Sequence, residues 1–265
     1  MAEMQDVFTD LAVEGDELDA VVAGLSPGQW ALPTPSPGWT VAHQVAHLAF
    51  IAHLAGLAAA DPAAFEVAAA PARIDFQGTV DARLEEYLEA PVEQVLERWR
   101  AERTAAAAAL AALPAGAMVP WLVTPLPAGV LAAAGMMELF GHGQDILDTL
   151  GLQRGDSDRI GHLVFFGTRT RDFGYLARGT TPPAEEFRFE LTAPSGTLWG
   201  FGPEEAQQRI SGPAGDFCLL VSRRRHRDDL ALSATGADAD HWLSIAQAYR
   251  GPAGEGRKPA QFPRP

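Results

Sequence analysis

One stretch of the chain constrains the fold more than any other, because it places ionisable groups in an otherwise apolar helix. Glu138, His142 and Asp145 stand at helical positions i, i+4 and i+7, on one face. If that face is buried, its groups need partners, since an unpaired buried charge is costly. A metal ion would satisfy a Glu and a His four residues apart. A helix with one hydrated face and a stray histidine fits the same spacing.

A second histidine pair lies on another predicted helix. Thr40 is suited to cap a helix that runs to about Ala60. His43 and His47 share one face of it, whereas His53 points elsewhere. Metal sites in helical bundles are built from such pairs on facing helices. Two or three nitrogens with one carboxylate and no sulfur suit zinc or another divalent first-row metal, and three protein ligands would leave an open, catalytic position.

The first half of the chain predicts a helical bundle of four main helices with long connections. Apolar residues recur at helical spacing in four segments, at about 5–25, 40–60, 81–113 and 128–150. Prolines and glycines mark the connections between them. Residues 61–80 show no clear period, and the sequence predicts a loop there with room for a short helix.

The second half changes character and predicts an α+β domain. Residues 187–191 alternate between apolar and polar side chains, as a half-buried strand does. Other predicted strands lie at 198–201, 208–211 and 230–234, and predicted helices lie at 158–178, 213–224 and 239–249. The tail is rich in Gly, Pro and charge, which predicts disorder. The expected divisions are a helical domain at 1–153, an α+β domain at 154–250 and a disordered tail at 251–265.

Composition argues against several classes of partner. The 265 residues are 47% hydrophobic, which indicates a globular protein, and the formal net charge of -14 argues against binding to nucleic acid or to an anionic membrane. The single cysteine, Cys218, excludes an internal disulfide and favours a reducing cytoplasm. No secretory signal is expected at residues 1–10, and no run of about 18 residues is expected to be apolar enough to span a bilayer. We expect a cytoplasmic monomer or homodimer that acts on a small-molecule substrate.

Three motifs occur in a characteristic order. They are Gly-Trp-Thr-Val-Ala-His-Gln-Val-Ala-His-Leu at 38–48, Glu-x-x-x-His-Gly-x-Asp at 138–145, and a segment that begins with Gly-Pro and contains three consecutive arginines at 212–229. Together they resemble the DinB-like metal-binding superfamily, most closely its branch of mycothiol-dependent maleylpyruvate isomerases and mycothiol S-transferases. The resemblance implies a four-helix N-terminal domain, a sterol-carrier-like α+β C-terminal domain, and an active cleft where the two meet.

The same resemblance implies roles for individual residues. One divalent metal, typically zinc, would be held by His47, Glu138 and His142. His43 is outside the usual ligand set and would be a group behind the ligands or a proton carrier. Asp145 would either orient His142 through its other ring nitrogen or be a solvated acid.

In that branch the metal binds a low-molecular-weight thiol, mycothiol, which then attacks an electrophilic carbon. Metal binding lowers the pKa of a thiol, so the nucleophile would come from the cosubstrate. Cys218 lies in an apolar run and is expected in the core. The family arginine that can bind a substrate carboxylate corresponds to Arg224, and a solvated basic helix end fits that position equally well.

Two segments are more apolar than is usual in the branch, at 49–54 and 121–127. They favour a larger and less polar substrate than a small diacid. The leading hypothesis is therefore a metal-dependent, mycothiol-using transferase or isomerase that acts on a small, fairly apolar organic electrophile in specialised metabolism. The alternatives are a metal-dependent hydrolase, or a cyclase or rearrangement enzyme, on the same scaffold without thiol, and a non-enzymatic small-molecule-binding protein.

Overall fold

The chain is a mixed α+β protein that is mostly helical, as the sequence predicts. A computed structural model describes residues 6–155 and 157–262. The chain is divided into two compact units, Met1–Gln153 and Arg154–Pro265. Each unit is described separately below.

The first unit is built from helices around one apolar core. Its helices are α1 (Val7–Val22), α2 (Pro27–Trp30), α3 (Val41–Ala60), α4 (Pro62–Ile74), α5 (Phe76–Leu88), α6 (Val92–Ala111) and α7 (Ala128–Leu150). Two short strands, β1 (Met118–Val119) and β2 (Leu126–Pro127), pair antiparallel before α7. Helix α3 packs against α4, α5, α6 and α7, and α1 packs against α6 and α7. The long helices α1, α3, α6 and α7 therefore form the centre of this unit.

Residues 62–80 correct the sequence-based expectation, since they form α4 and the start of α5 rather than a loop with room for a short helix. Two aspartates start these helices: Asp61 accepts a hydrogen bond from the Ala64 amide at 3.0 Å, and Asp75 accepts one from the Gly78 amide at 2.9 Å. Phe65 is buried on the inner face of α4. The segment is rich in alanine, which is weakly apolar, so its periodicity is faint in the sequence.

Helix α3 also corrects the expectation that no segment is apolar enough to span a bilayer. Its 20 residues meet that criterion by length and composition, with a mean hydropathy of 1.4. In this structure 61% of the 18-residue apolar stretch of α3 is buried, because α3 packs against four neighbouring helices. Its apolarity is accounted for by this central position in the first unit.

The second unit contains a four-stranded sheet with helices. The strands are β3 (Phe187–Thr192), β4 (Leu198–Phe201), β5 (Gln208–Pro213) and β6 (Ser233–Thr235), in the order β4-β3-β5-β6. The pair β3–β5 is parallel, and the pairs β3–β4 and β5–β6 are antiparallel. The helices are α8 (Gly161–Arg169), α9 (Phe173–Leu176), α10 (Ala214–Val221) and α11 (Ala237–Ile245), with 3-10 turns at Asp158–Ile160 and Arg227–Asp229.

Two predicted helices of this unit are shorter than expected. The helix predicted at 158–178 is broken between α8 and α9, where the Thr170 hydroxyl donates back to the Phe166 carbonyl at 2.9 Å. The helix predicted at 213–224 ends at Val221, because Arg223 adopts a positive φ of 58°. Arg224 therefore lies in the turn beyond α10 and not on its face.

The core of the second unit is aromatic. Phe189, Phe217 and Trp242 are almost fully buried, with ring centroids 5.6–6.0 Å apart. Cys218 is fully buried in α10, so its predicted place in the core is correct. Residues 251–262 follow an irregular path, and the Ala260 amide donates to the Asp229 carboxylate. The predicted disorder of the tail stays a prediction, and residues 263–265 lie outside the described residues.

Candidate metal centre

The structure brings together the three side chains that the resemblance implies as metal ligands. His47 comes from α3, and Glu138 and His142 come from successive turns of α7. One ligand atom from each lies within 4.8 Å of the others. Glu138 Oε2 lies 3.1 Å from His142 Nε2 and 3.5 Å from His47 Nε2. The i, i+4 spacing on α7 presents both side chains to the neighbouring α3.

These separations fit a small divalent cation. Ligand atoms that lie 2.0–2.1 Å from zinc in tetrahedral geometry are about 3.3 Å from each other. The two measured separations, 3.1 Å and 3.5 Å, bracket that value. Two imidazoles and one carboxylate, without sulfur, are a donor set suited to zinc and other divalent first-row metals. The residues present therefore fit the metal that the resemblance implies.

The carboxylate of the cluster is held in its ionised form. Burial acts to raise the pKa of Glu138, but hydrogen bonds and charge from His142 and His47 outweigh burial and hold this pKa well below its usual range. The Glu138 side chain retains 22% of its exposure, whereas the His47 side chain retains 8%. An ionised, partly accessible carboxylate between two imidazoles is what a cation site requires.

Gln44 orients one of the histidines. Its side chain is fully buried, and its Oε1 lies 2.5 Å from His142 Nδ1. The Gln44 Nε2 donates to Thr34 Oγ1 at 2.8 Å, so the amide oxygen must face the imidazole. His142 therefore keeps a proton on Nδ1, and its Nε2, which contacts Glu138 at 3.1 Å, would be the nitrogen that coordinates a bound metal ion. His47 differs, because its buried Nδ1 has no hydrogen-bond partner among the described residues.

Asp145 lies behind Gln44 in the same network. Its side chain is fully buried, which excludes the solvated acid that the sequence leaves open. Asp145 Oδ2 accepts a hydrogen bond from the Ser36 hydroxyl at 2.7 Å and lies 3.5 Å from Gln44 Nε2. Asp145 therefore contacts Gln44, and Gln44 in turn contacts His142 Nδ1, the nitrogen through which the resemblance lets Asp145 orient this ring.

The proline-rich loop before α3 covers the cluster. Gly38 has a φ of +80°, which turns the chain so that the Trp39 amide donates to the Ser36 carbonyl at 3.0 Å. The Trp39 ring stacks on His142 at a centroid distance of 5.8 Å and an angle of 21°, and it lies 5.2 Å from the His47 ring. Trp39 thus shields two of the three ligand side chains from water.

The other two histidines of α3 have local partners. His43 Nδ1 accepts a hydrogen bond from the Thr40 amide and lies 2.8 Å from the Thr40 hydroxyl, which makes it part of the capping box of α3. Burial lowers the pKa of His43. His53 Nδ1 lies 3.1 Å from Glu102 Oε2 on α6. Neither histidine belongs to the three-ligand cluster.

Arg224 lies in the second unit, in the turn that follows α10. One of its guanidinium nitrogens donates to the Ser222 carbonyl at 2.6 Å, and the side chain is half-buried. Its neighbour Arg225 stacks over Phe262 at 4.6 Å. Binding of a carboxylate by Arg224 stays a prediction.

A cavity of about 320 Å³ adjoins the metal-ligand cluster within the first unit, and we refer to it as the bundle cavity. Its lining comes from α1, α3, α6 and α7, and Glu138 forms part of the wall. Most of the lining is apolar or small, including Leu11, Leu48, Ile51, Ala52, Ala107 and Gly135. A small molecule bound at the cluster could therefore extend into an apolar space.

Sequence reasoning missed the residues that support the ligands. Ser36 and Thr34 are common polar types in a turn-rich segment, Gln44 is a single amide on α3, and Trp39 follows a Pro-Gly turn, where a tryptophan usually fills a core. One signal was present, because Gln44 lies one turn from His47 on an otherwise apolar part of α3. A buried glutamine in such a position needs partners, as a buried histidine does.

Comparison with known families gives two matches. Residues 11–147 match the family model described as the mycothiol maleylpyruvate isomerase N-terminal domain. Residues 183–235 match a model described as wyosine base formation, which covers a much shorter part of the chain. The first match spans about half of the chain and contains all three residues of the cluster.

Individual proteins are also similar to this chain. Uncharacterized proteins from two strains of Mycobacterium tuberculosis are 41% identical to this chain over 257 residues, which is 97% of this chain and 100% of each relative. Crystal structures of a mycothiol-dependent maleylpyruvate isomerase and of its histidine-to-alanine variant are similar in fold, with TM-scores of 0.52 and 0.53. They share 13% and 12% identity with this chain and cover 82% of it and 88% of their own length.

Proposed function

Because this chain belongs to the family of the mycothiol maleylpyruvate isomerase N-terminal domain, we propose that it is a metal- and thiol-dependent transferase or isomerase. The DinB-like resemblance of the sequence is thereby confirmed. We propose mycothiol as the thiol and a small, fairly apolar organic electrophile as the second substrate. The observation that carries the proposal is the convergence of His47, Glu138 and His142.

In this proposal the three ligands hold one divalent ion, most simply zinc, and leave an open position. A bound divalent metal supplies Lewis acidity, which makes a coordinated thiol acidic enough to be nucleophilic at neutral pH. The protein itself supplies no sulfur, since Cys218 is fully buried. The nucleophile would therefore come from the cosubstrate.

The surrounding side chains have defined tasks in this scheme. Gln44 keeps His142 in the tautomer that presents Nε2 to the ion. Trp39 limits the access of water to the ligands. We propose that His43, on the same helix as His47, carries a proton at its second ring nitrogen, Nε2, while Nδ1 remains engaged with Thr40. Each of these tasks fixes a geometry or a proton position before the substrate arrives.

We also propose that the second unit is the sterol-carrier-like domain of the family and that Arg224 binds a carboxylate of the electrophile. The support for the first point is a four-stranded sheet combined with α10 and α11. The support for the second is an arginine-rich turn at 223–225 in an otherwise acidic protein. In an Arg224→Ala variant, affinity for an acidic electrophile should fall while metal content stays unchanged.

The cellular context is proposed on composition. A cytoplasmic protein with no nucleic-acid or membrane partner is supported by the net charge of -14 and by the single cysteine. Its state as a monomer or homodimer stays a prediction. The apolarity of α3, which alone among the described helices could suggest a membrane span, is explained by its burial. A role in specialised metabolism is supported by the apolar lining of the bundle cavity.

A four-way assay tests the proposal. The full-length protein is prepared with zinc and after chelation, and each preparation is mixed with a panel of apolar electrophiles with and without mycothiol. Turnover that requires both metal and thiol is the expected result. Turnover with metal alone would indicate the hydrolase, and turnover without metal would indicate the cyclase or rearrangement enzyme. Binding without turnover in any arm would indicate a binding protein.

A further inference from the structure

We propose that the bundle cavity holds an uncharged, apolar part of the substrate, of roughly ten to twelve non-hydrogen atoms. The inference rests on the proposed function, because Glu138 belongs both to the ligand cluster and to the cavity wall. A dry protein cavity of about 150 Å³ accepts a benzene molecule. The bundle cavity, at about 320 Å³, is roughly twice as large. It is also too small for a folded peptide segment, so its occupant is part of a small molecule.

Small side chains at the helix packing positions create the cavity. Helix α6 contributes Ala107 and helix α3 contributes Ala52, where larger residues would fill the space. On α7, Gly135 allows α1 to approach, since a Cβ there would lie 3.2 Å from Leu11 Cδ1. Ile51 and Ala52 remain half-buried although α3 is the central helix, because the cavity leaves them accessible.

The charges around the cavity favour a neutral occupant. Arg103 is the one basic residue among the described residues that line it, and its guanidinium lies 2.7 Å from Asp16 and 3.4 Å from Asp19. Its charge is therefore already compensated. The other charged residues of the lining, Asp16 and Glu138, are acidic. The described lining therefore offers an anionic group no uncompensated cation, whereas an apolar group would gain free energy from burial.

A series of straight-chain alcohols from 1-butanol to 1-octanol tests the proposal. Each alcohol is titrated by calorimetry into the full-length protein, both loaded with zinc and after chelation. Affinity should rise about threefold to fourfold for each methylene group until the cavity is full. In protein labelled at alanine methyl groups, the NMR signals of Ala52 and Ala107 should shift on binding. An affinity that does not depend on chain length would overturn the proposal.

Two neighbouring alanines of α6 provide a matched pair of variants. Ala107 lines the cavity, whereas Ala108 is exposed and does not. Ala107→Leu should reduce the affinity for 1-octanol at least tenfold and flatten the dependence on chain length, while Ala108→Leu should behave as the parent protein. If Ala107→Leu loses its helical circular dichroism, Ala52→Leu provides the same test from α3. Equal octanol binding by the parent and by a folded cavity variant would locate the binding elsewhere and refute the inference.

The chelated arm separates this inference from the proposed function. Binding of octanol that persists without zinc and disappears in the Ala107→Leu variant supports the cavity, even if no thiol-dependent turnover is ever observed. If turnover depends on thiol but octanol binds the parent protein and the Ala107→Leu variant equally well, the proposed function is supported and the cavity is rejected as its apolar subsite.

Discussion

The two units of this protein use their buried polar groups in different ways. In the first unit, buried Gln44, His47 and Asp145 contact other side chains and belong to one network with the candidate ligands Glu138 and His142. In the second unit, buried Thr170 and Ser222 donate to main-chain carbonyls, and the half-exposed ionic pairs lie outside the core. Side-chain networks specify a site, whereas bonds to the main chain fix the ends of helices and turns.

Charge follows the same division. Residues 1–153 contain 20 acidic and 5 basic residues, whereas residues 154–265 contain 14 acidic and 15 basic residues. The negative charge of the protein therefore belongs to the unit that contains the cation-binding geometry. We conclude that variants in the buried polar network of the first unit should mainly change metal binding and that variants in the aromatic core of the second unit should mainly change stability.

The largest expected effect is the loss of metal from the first unit. Replacement of His142 by alanine removes one of three ligands, and we expect metal affinity to fall on the order of a thousandfold or more, since loss of a partner behind a ligand already costs about 10–100-fold. Metal content is measured by elemental analysis after dialysis. His226→Ala is the control in the second unit, where His226 caps a 3-10 turn. Full metal occupancy in the His142 variant would refute the ligand assignment.

The next effect concerns the second unit. Trp242 is fully buried among Phe187, Phe189 and Phe217, so Trp242→Ala should lower the free energy of unfolding by about 3–5 kcal/mol. Metal content should stay at the parent value, because all three ligands of the cluster lie in the first unit. Thermal unfolding with parallel metal analysis checks both points. Trp199→Ala is the control, since Trp199 is only half-buried. Loss of metal on truncation of Trp242 would break the division between the units.

A smaller effect is expected behind the ligands. Gln44→Ala removes the acceptor of the His142 Nδ1 proton, and metal affinity should fall by about 10–100-fold. Competition with a chromogenic chelator measures this change. Ser36→Ala is one hydrogen bond further from the ion, through Asp145, and should cost less than Gln44→Ala. Equal losses of metal affinity in both variants would mean that the proline-rich loop before α3 shields the site and that orientation of His142 contributes little.

Sequence reasoning reached the class of the fold and the three groups that converge, for identifiable reasons. Glu138 and His142 are one helical turn apart, so their common face follows from periodicity alone. Spacing on α3 offered both His43 and His47, and the choice of His47 required a resemblance to known proteins, because local spacing does not determine how two helices pack. The orienting role of Gln44 could not be predicted, since it depends on the side-chain amide meeting Thr34 and His142 at once. Helix α4 was missed because alanine gives little periodic signal.

The smallest predicted effect is a pH dependence at the start of α3. Burial lowers the pKa of His43, so near pH 6 the unfolded chain takes up a proton that the folded chain resists. The stability associated with neutral His43 is therefore complete above about pH 6.5 and is lost as the pH falls toward the lower pKa of the folded state. Protonation also removes the acceptor of the Thr40 amide, a capping contact that contributes about 1 kcal/mol.

Glutamine at position 43 keeps a side-chain acceptor without a titrating group. In urea unfolding of the chelated protein between pH 5 and pH 8, His43→Gln should therefore lose less stability on acidification than the parent, by at most about 1 kcal/mol. Identical pH profiles would mean that the capping contact at His43 survives acidification, and the helix start would then give the first unit no sensitivity to pH of its own.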